Sequence, residues 1–151
     1  MILARLMSRT QDNAAMRMIC DIKLPLPPKE LQPNARPHWR AKAKAVQSYR
    51  AMALSEALRW RTDECCSVAV VKIEYANKTK RVLDPDNIIA ALKSAIDGIT
   101  SSGCIDDDDE LIYLPPKRWK CAEDPHVRIT LLQPNEMELE AMEKLFEMES
   151  L

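Results

Sequence analysis

The chain has 151 residues, of which 46% are hydrophobic and 30% charged, and a formal net charge of −1. That length suits one domain with a real core and is short for two, and the composition is that of an ordinary globular protein. No apolar run approaches the ~20 residues of a membrane-spanning helix, and five cysteines without a Cys-x-x-Cys spacing argue against a disulfide framework or zinc site and fit a reducing cytoplasm.

Residues 1–17 carry arginines and polar residues that break a signal-peptide core and read as a flexible N-terminal extension. "MICDIKLPLPP" reads as a strand entering a turn, because Pro25, Pro27 and Pro28 cannot continue a central ladder. "LQPNARPHW" is a loop. From Arg40 to Trp60 the apolar Val46, Tyr49, Ala53, Leu54, Ala57 and Leu58 recur at helical spacing, which predicts an amphipathic helix with a basic N-terminal half. "SVAVVKIEYA" is the clearest strand, rich in β-branched residues, and a basic turn, "NKTKRVL", follows it.

Pro85 biases Asp84 toward extended backbone, and Asp86 or Asn87 is placed to cap the next helix. Ile88, Leu92, Ala95 and Ile99 give that helix an apolar face, and Gly98 is placed to end it. "LIYL" and "HVRITLL" are two more strands. Asn135 and Glu138 predict a capping box opening a closing helix with Leu139, Met142, Leu145 and Phe146 on one side. This order predicts a single α+β domain whose mixed sheet of about four strands packs with helices, plus a C-terminal acidic helix. The divisions are 1–17 for the extension, 18–133 for the domain and 134–151 for the acidic amphipathic helix.

Charge is segregated along the chain. Arg36, Arg40, Lys42, Lys44, Arg50, Arg59 and Arg61 face one acid, Glu56; Lys78, Lys80 and Arg81 lead into the aspartates; Lys117, Arg118 and Lys120 follow them with Trp119 interleaved. The acids gather at Asp106–Glu110 and in the C-terminal segment. Such asymmetry suits a polyanion on one side of the molecule; solvated helix and tail faces explain the same pattern.

The stretch "LDPDN" raises a sharper question. In extended backbone, residues two apart share a side, so Asp84 and Asp86 can aim both carboxylates at one point. Two carboxylates with waters and a substrate phosphate suit a hard cation such as Mg²⁺. Lys93 stands seven residues after Asp86, two helical turns on, where it could stabilise charge on a phosphate. Plainer readings stand beside these: a helix cap, a solvated aspartate loop, and a surface pair of Lys93 with Asp97.

"LDPDNIIAALKSAIDGI" followed by "GCIDDDDEL", with the earlier "LPLPPKELQPNARPHW" and Tyr49-Arg50, resembles the RusA-like Holliday junction resolvases of phages and prophages. The resemblance spans roughly residues 19–132. It implies a Mg²⁺-dependent endodeoxyribonuclease, with Mn²⁺ as a substitute ion, that acts as a homodimer in the bacterial or phage-infected cytoplasm. Its substrate would be four-way or branched DNA, resolved by paired phosphodiester hydrolysis in recombination and repair. The resemblance carries catalytic roles to Asp84, Asp86, Asp107 and Asp108, the last two counted from Gly103, and metal ligation to Asp84, Asp86 and Asp108. A family lysine four residues after the second aspartate is Ala90 here, and Lys93 looks like its substitute. Arg40, Lys42, Lys44, Arg50, Lys78, Lys80 and Arg81 are the expected DNA-backbone contacts. Two other readings compete: a branched-DNA-binding module with impaired catalysis, hinted at by Ala90, and an interaction protein that works through its acidic segments.

Overall fold

The computed structural model of the chain describes residues 16–62, 66–81, 83–106 and 111–150. Asp107 and Asp108 lie outside the described residues, as does most of the N-terminal extension. In chain order the elements are β1 (Arg17–Leu24), a 3-10 turn (Lys29–Leu31), α1 (Trp39–Leu58), β2 (Ala69–Ala76), α2 (Pro85–Ala91), α3 (Lys93–Ser101), β3 (Leu111–Tyr113), β4 (Lys117–Trp119), β5 (His126–Gln133) and α4 (Glu136–Glu149).

The fold is the α+β single domain that the element order predicts. β5 lies between β1 and β2 and is antiparallel to both. On the other side of β2, β3 and β4 run parallel to it one after the other. The mixed sheet therefore has five strands but is four ranks wide, because β3 and β4 share one edge. Pro115 and Pro116 separate them: the Leu114 amide still donates to the Val71 carbonyl at 3.0 Å, and two residues without N–H groups then break the ladder.

One sheet face carries Ile22, Leu24, Val71, Ile73, Tyr75, Val127, Ile129 and Leu131 into the main core, which the three helices α1, α2 and α3 cover. Each large apolar side chain buried there contributes about 1.5–3 kcal/mol. The opposite face holds a smaller cluster of Val70, Leu114 and α4's Met142, with Ile112 and Leu132 packed beside it. Thus α4 packs on the body, through Met142. Its start is the expected capping box: Glu138 N donates to Asn135 Oδ1 at 2.8 Å and Asn135 N to Glu138 Oε2 at 2.9 Å.

Three local expectations need correction. Gly98 does not end its helix, which continues to Ser101. It is buried where α3 crosses α1, and a Cβ there would sit 2.4 Å from the Arg50 carbonyl oxygen and 3.1 Å from Ala53 Cβ. The stripe of α1 that is buried, Ala45, Tyr49, Ala53 and Ala57, is mostly alanine for the same reason: two backbones approach closely. The terminating glycine is Gly103, at φ +84° after the cap residue Ser102, where a side chain is disfavoured.

The helix after "LDPDN" is also not continuous. Leu92, at φ −94° and ψ 1°, separates α2 from α3. Finally, the N-cap position is Asp84, in extended backbone at ψ 145°, with Pro85 as the first helical residue; proline suits that position because its missing N–H is not needed there. Neither Asp86 nor Asn87 is the cap.

Candidate functional site

The topology decides which charged segments meet. β1 ends at Leu24, level with Val127 and with Tyr75 at the C-terminal end of β2. α1 and α3 then run side by side in the same direction, as their paired contacts show. Arg50 Nη2 donates to Ser101 Oγ at 2.7 Å, and farther along Cys104 Sγ approaches the Ala57 carbonyl at 3.4 Å. The basic N-terminal half of α1 therefore lies at the end of the fold where β2 finishes, and there the 77–84 segment also enters α2.

That segment is tied to β4. Asn77 N donates to the Trp119 carbonyl at 2.8 Å, Cys121 N to the Thr79 carbonyl at 3.1 Å, and Ala122 N to the Asn77 carbonyl at 2.9 Å. Within the turn, Asn77 Nδ2 donates to the Arg81 carbonyl at 2.7 Å. These bonds unite Lys78, Lys80 and Arg81 with Lys117, Arg118 and Lys120, all exposed. One of these cations reaches the carboxylate segment itself: Arg118 Nη1 donates to the Leu83 carbonyl at 2.9 Å, one residue before Asp84. Three basic groups separated in sequence thus gather at one end of the molecule with Asp84 and Asp86.

Both aspartates are exposed, and Asp84 makes no side-chain capping bond to the helix it precedes. Asp84 is extended, but Pro85 and Asp86 are already helical, so the period-two argument for their convergence does not apply; they flank the start of α2 instead. Among the described residues no group of three or more His, Cys, Asp or Glu side chains forms a metal cluster. Two exposed aspartates are nonetheless the oxygen donors that Mg²⁺ takes when waters and substrate phosphates complete its shell.

Lys93 and Lys42 share a cleft of about 360 Å³ between α1, the 3-10 turn and the α2–α3 segment; Gln32, Ala90, Ser94 and Asp97 also line it. Lys93 Nζ lies 3.2 Å from Asp97 Oδ1. Ser94, only 7% exposed, has a buried Oγ without a hydrogen-bond partner. The placing of Gln32 and Ser94 in this cleft, and of Arg118 against Leu83, escapes sequence inspection, because each depends on tertiary packing. Arg50, an expected DNA contact, donates to Ser101 across the helix pair and remains exposed.

At the start of α1 the Arg40 guanidinium lies 5.1 Å from the Trp39 ring centroid, and Trp39, 68% exposed, stacks beside His38. His126 Nδ1 lies 2.7 Å from the Asp124 carbonyl. Asp106 sits elsewhere. Its amide donates to the Cys66 carbonyl at 2.9 Å, and Ile105 bridges Cys66, ahead of the first residue of β2. The helical run from Asp84 to Ser101 is ~25 Å long at ~1.5 Å per residue, so Asp106 and Asp84 stand at opposite ends of it.

No family model matches the chain. It is 32% identical over 105 residues to an uncharacterized protein of Xylella fastidiosa (strain Temecula1 / ATCC 700964), a match covering 62% of this chain and 64% of that protein. The chain thus spans just under two thirds of that relative's length. Among the described residues no helix is long and apolar enough to cross a membrane.

Proposed function

We propose that the protein is a Mg²⁺-dependent, structure-selective endodeoxyribonuclease that nicks four-way or branched DNA as a homodimer in a bacterial or phage-infected cell. The observation that carries this reading is the gathering of Asp84, Asp86 and three basic groups at one end of the fold, with Arg118 linking the two chemistries. The resemblance to RusA-like resolvases supplies the substrate class.

Asp84 and Asp86 would hold the ion, which when bound lowers the pKa of an attacking water and polarises the scissile phosphate. Arg40, Lys42, Lys44 and the Lys78–Arg81 turn would grip the sugar-phosphate backbone, positioning DNA without reading its sequence. Lys93 and Lys42, facing one cleft, would stabilise charge developing on the phosphate. Asp107 and Asp108 remain proposed ligands. Because the neighbouring Asp106 is anchored beyond the far end of the helical run that starts at Asp84, a second copy with its α2–α3 segment antiparallel to the first is the economical way to complete the set. A two-fold pair of sites also matches the two-fold symmetry of a four-way junction.

One observation favours a second reading, a branched-DNA-binding module with impaired catalysis: Lys93 is engaged with Asp97 at 3.2 Å, and Ala90 offers no cation. The deciding experiment is incubation of the purified protein with a labelled four-way junction and with linear duplex, each with Mg²⁺ or chelator. Paired, Mg²⁺-dependent nicks in the junction alone, lost in Asp84→Asn while binding persists, support the nuclease. Junction binding without nicks under any divalent ion supports the module.

A further inference from the structure

The open part of the sheet's second face ends in an exposed indole. β4 is exposed at all three residues. Trp119, 47% exposed, is in register with Ala76, whose methyl leaves the ring uncrowded by the neighbouring strand. The backbone that presents it is held on both sides by the Trp119, Thr79 and Asn77 carbonyl bonds. Two residues on, Cys121 takes a positive φ of 54°. A non-glycine residue there is uncommon and persists where surrounding bonds over-determine it.

The charges around the ring are predominantly positive. Lys117 and Lys120 flank it in sequence, and Lys78 and Lys80 lie on the turn bonded to it. Of the nearest acids, Asp124 pairs with Lys23 at 2.7 Å, Glu74 stands in register between Lys117 and Arg128, and Glu123 is exposed just beyond the turn. An exposed aromatic among cations, on a strand exposed at every residue, has the parts of a nucleic-acid stacking platform. Every base has a π-face to lay on an indole, and lysines satisfy the adjoining phosphates.

We propose that Trp119 stacks an unpaired nucleobase of branched DNA, with Lys117, Lys120 and the Lys78–Lys80 turn holding the phosphates beside it. The proposal rests on the branched-DNA reading and adds to it: the protein grips the opened bases at a branch point as well as its duplex arms. Paired bases are already stacked within the helix and present only their edges, so duplex gains nothing from the ring.

The test uses the full chain in chelator, so that binding alone is read. Affinity is measured for a single-stranded DNA oligonucleotide and for blunt linear duplex of equal length, with Trp119→Ala, Trp119→Phe and Lys117→Gln variants. Thermal melting checks that each variant is folded. Loss of one stacked base weakens single-strand binding about five-fold to more than a hundred-fold. The expected result is such a loss in Trp119→Ala, near-complete retention in Trp119→Phe, and unchanged duplex binding, while Lys117→Gln weakens both ligands alike. Equal loss on both ligands in Trp119→Ala, no loss on either, or no oligonucleotide binding at all, as a protein-docking face would give, overturns it. Nicking assays with Mg²⁺ separate the two readings: Trp119-dependent binding without cleavage removes the nuclease and leaves the platform, and cleavage indifferent to Trp119 does the reverse.

Discussion

Arg118 donates from its guanidinium to the Leu83 carbonyl at 2.9 Å, so a cation of the edge strand fixes the backbone one residue before Asp84. Arg118 is placed by register, since it pairs in parallel with Tyr75 near the end of β2. Arg118→Ala removes this tether from an exposed site. Cleavage should fall about ten-fold, the scale on which small misplacements of a catalytic group act, while global stability changes by under ~1 kcal/mol. Junction nicking measured alongside urea unfolding checks both; a matching loss of stability would make the bond structural.

Lys93 and Ala90 line the same cleft. Lys93→Met should lower kcat about ten- to a hundred-fold with little change in junction affinity, as expected for a group that acts on developing charge. Ala90→Lys should raise cleavage, because a second ammonium would enter the cleft without competing for Asp97. Single-turnover nicking rates of the two variants decide the matter; an inert Ala90→Lys would exclude cation placement as the limiting feature.

Substituting Gly98 with alanine puts a methyl group 2.4 Å from the Arg50 carbonyl oxygen. Backbone cannot yield as a flexible side chain does, so α1 and α3 must separate, at a cost of about 1–3 kcal/mol. The urea midpoint should fall with an unchanged slope. Alanine at Gly103, where φ is +84°, should cost less, about 1 kcal/mol.

Asp21 binds Arg128 through both carboxylate oxygens and accepts from Thr130 Oγ1 at 3.1 Å. The Arg128 hydrogen bonds hold its carboxyl below the usual carboxylate range, with the Thr130 bond and Lys72 assisting against partial burial. A folded pKa below the unfolded value near ~3.9 means that its contribution is fully present above that value. It is lost as pH falls through the folded pKa. Asp21→Asn should therefore cost about 1–2 kcal/mol at neutral pH, after allowing for Arg128's exposure, and progressively less as pH falls below the usual carboxylate range. Chemical denaturation of both proteins across that range measures the convergence.

Much of the local structure was legible because it depends on neighbours in sequence. The β-branched run at 69–76 forms its strand, and Asn135 and Glu138 form their box. The 3-10 turn at 29–31 and the break at Leu92 were not legible, since the same apolar spacing serves a straight helix and an interrupted one. Gly98 misled for a related reason: glycine at a helix terminus and glycine at a helix crossing look alike until the second helix is in place.

The sequence by itself determined the charge segregation, the Asp-Pro-Asp-Asn helix start and the principal strands and helices, because composition, proline geometry and hydrophobic period act over a few residues. Only the tertiary structure decided which charges meet. Parallel pairing of β2 with β4 joins Lys78–Arg81 to Lys117–Lys120 across nearly forty positions, and the direction of α1 brings Arg40 and Lys42 to the same end. The α2–α3 crossover meanwhile carries Asp106 away from Asp84. Strand order and helix direction follow from how the faces bury one another, and that long-range packing leaves no mark in local residue spacing.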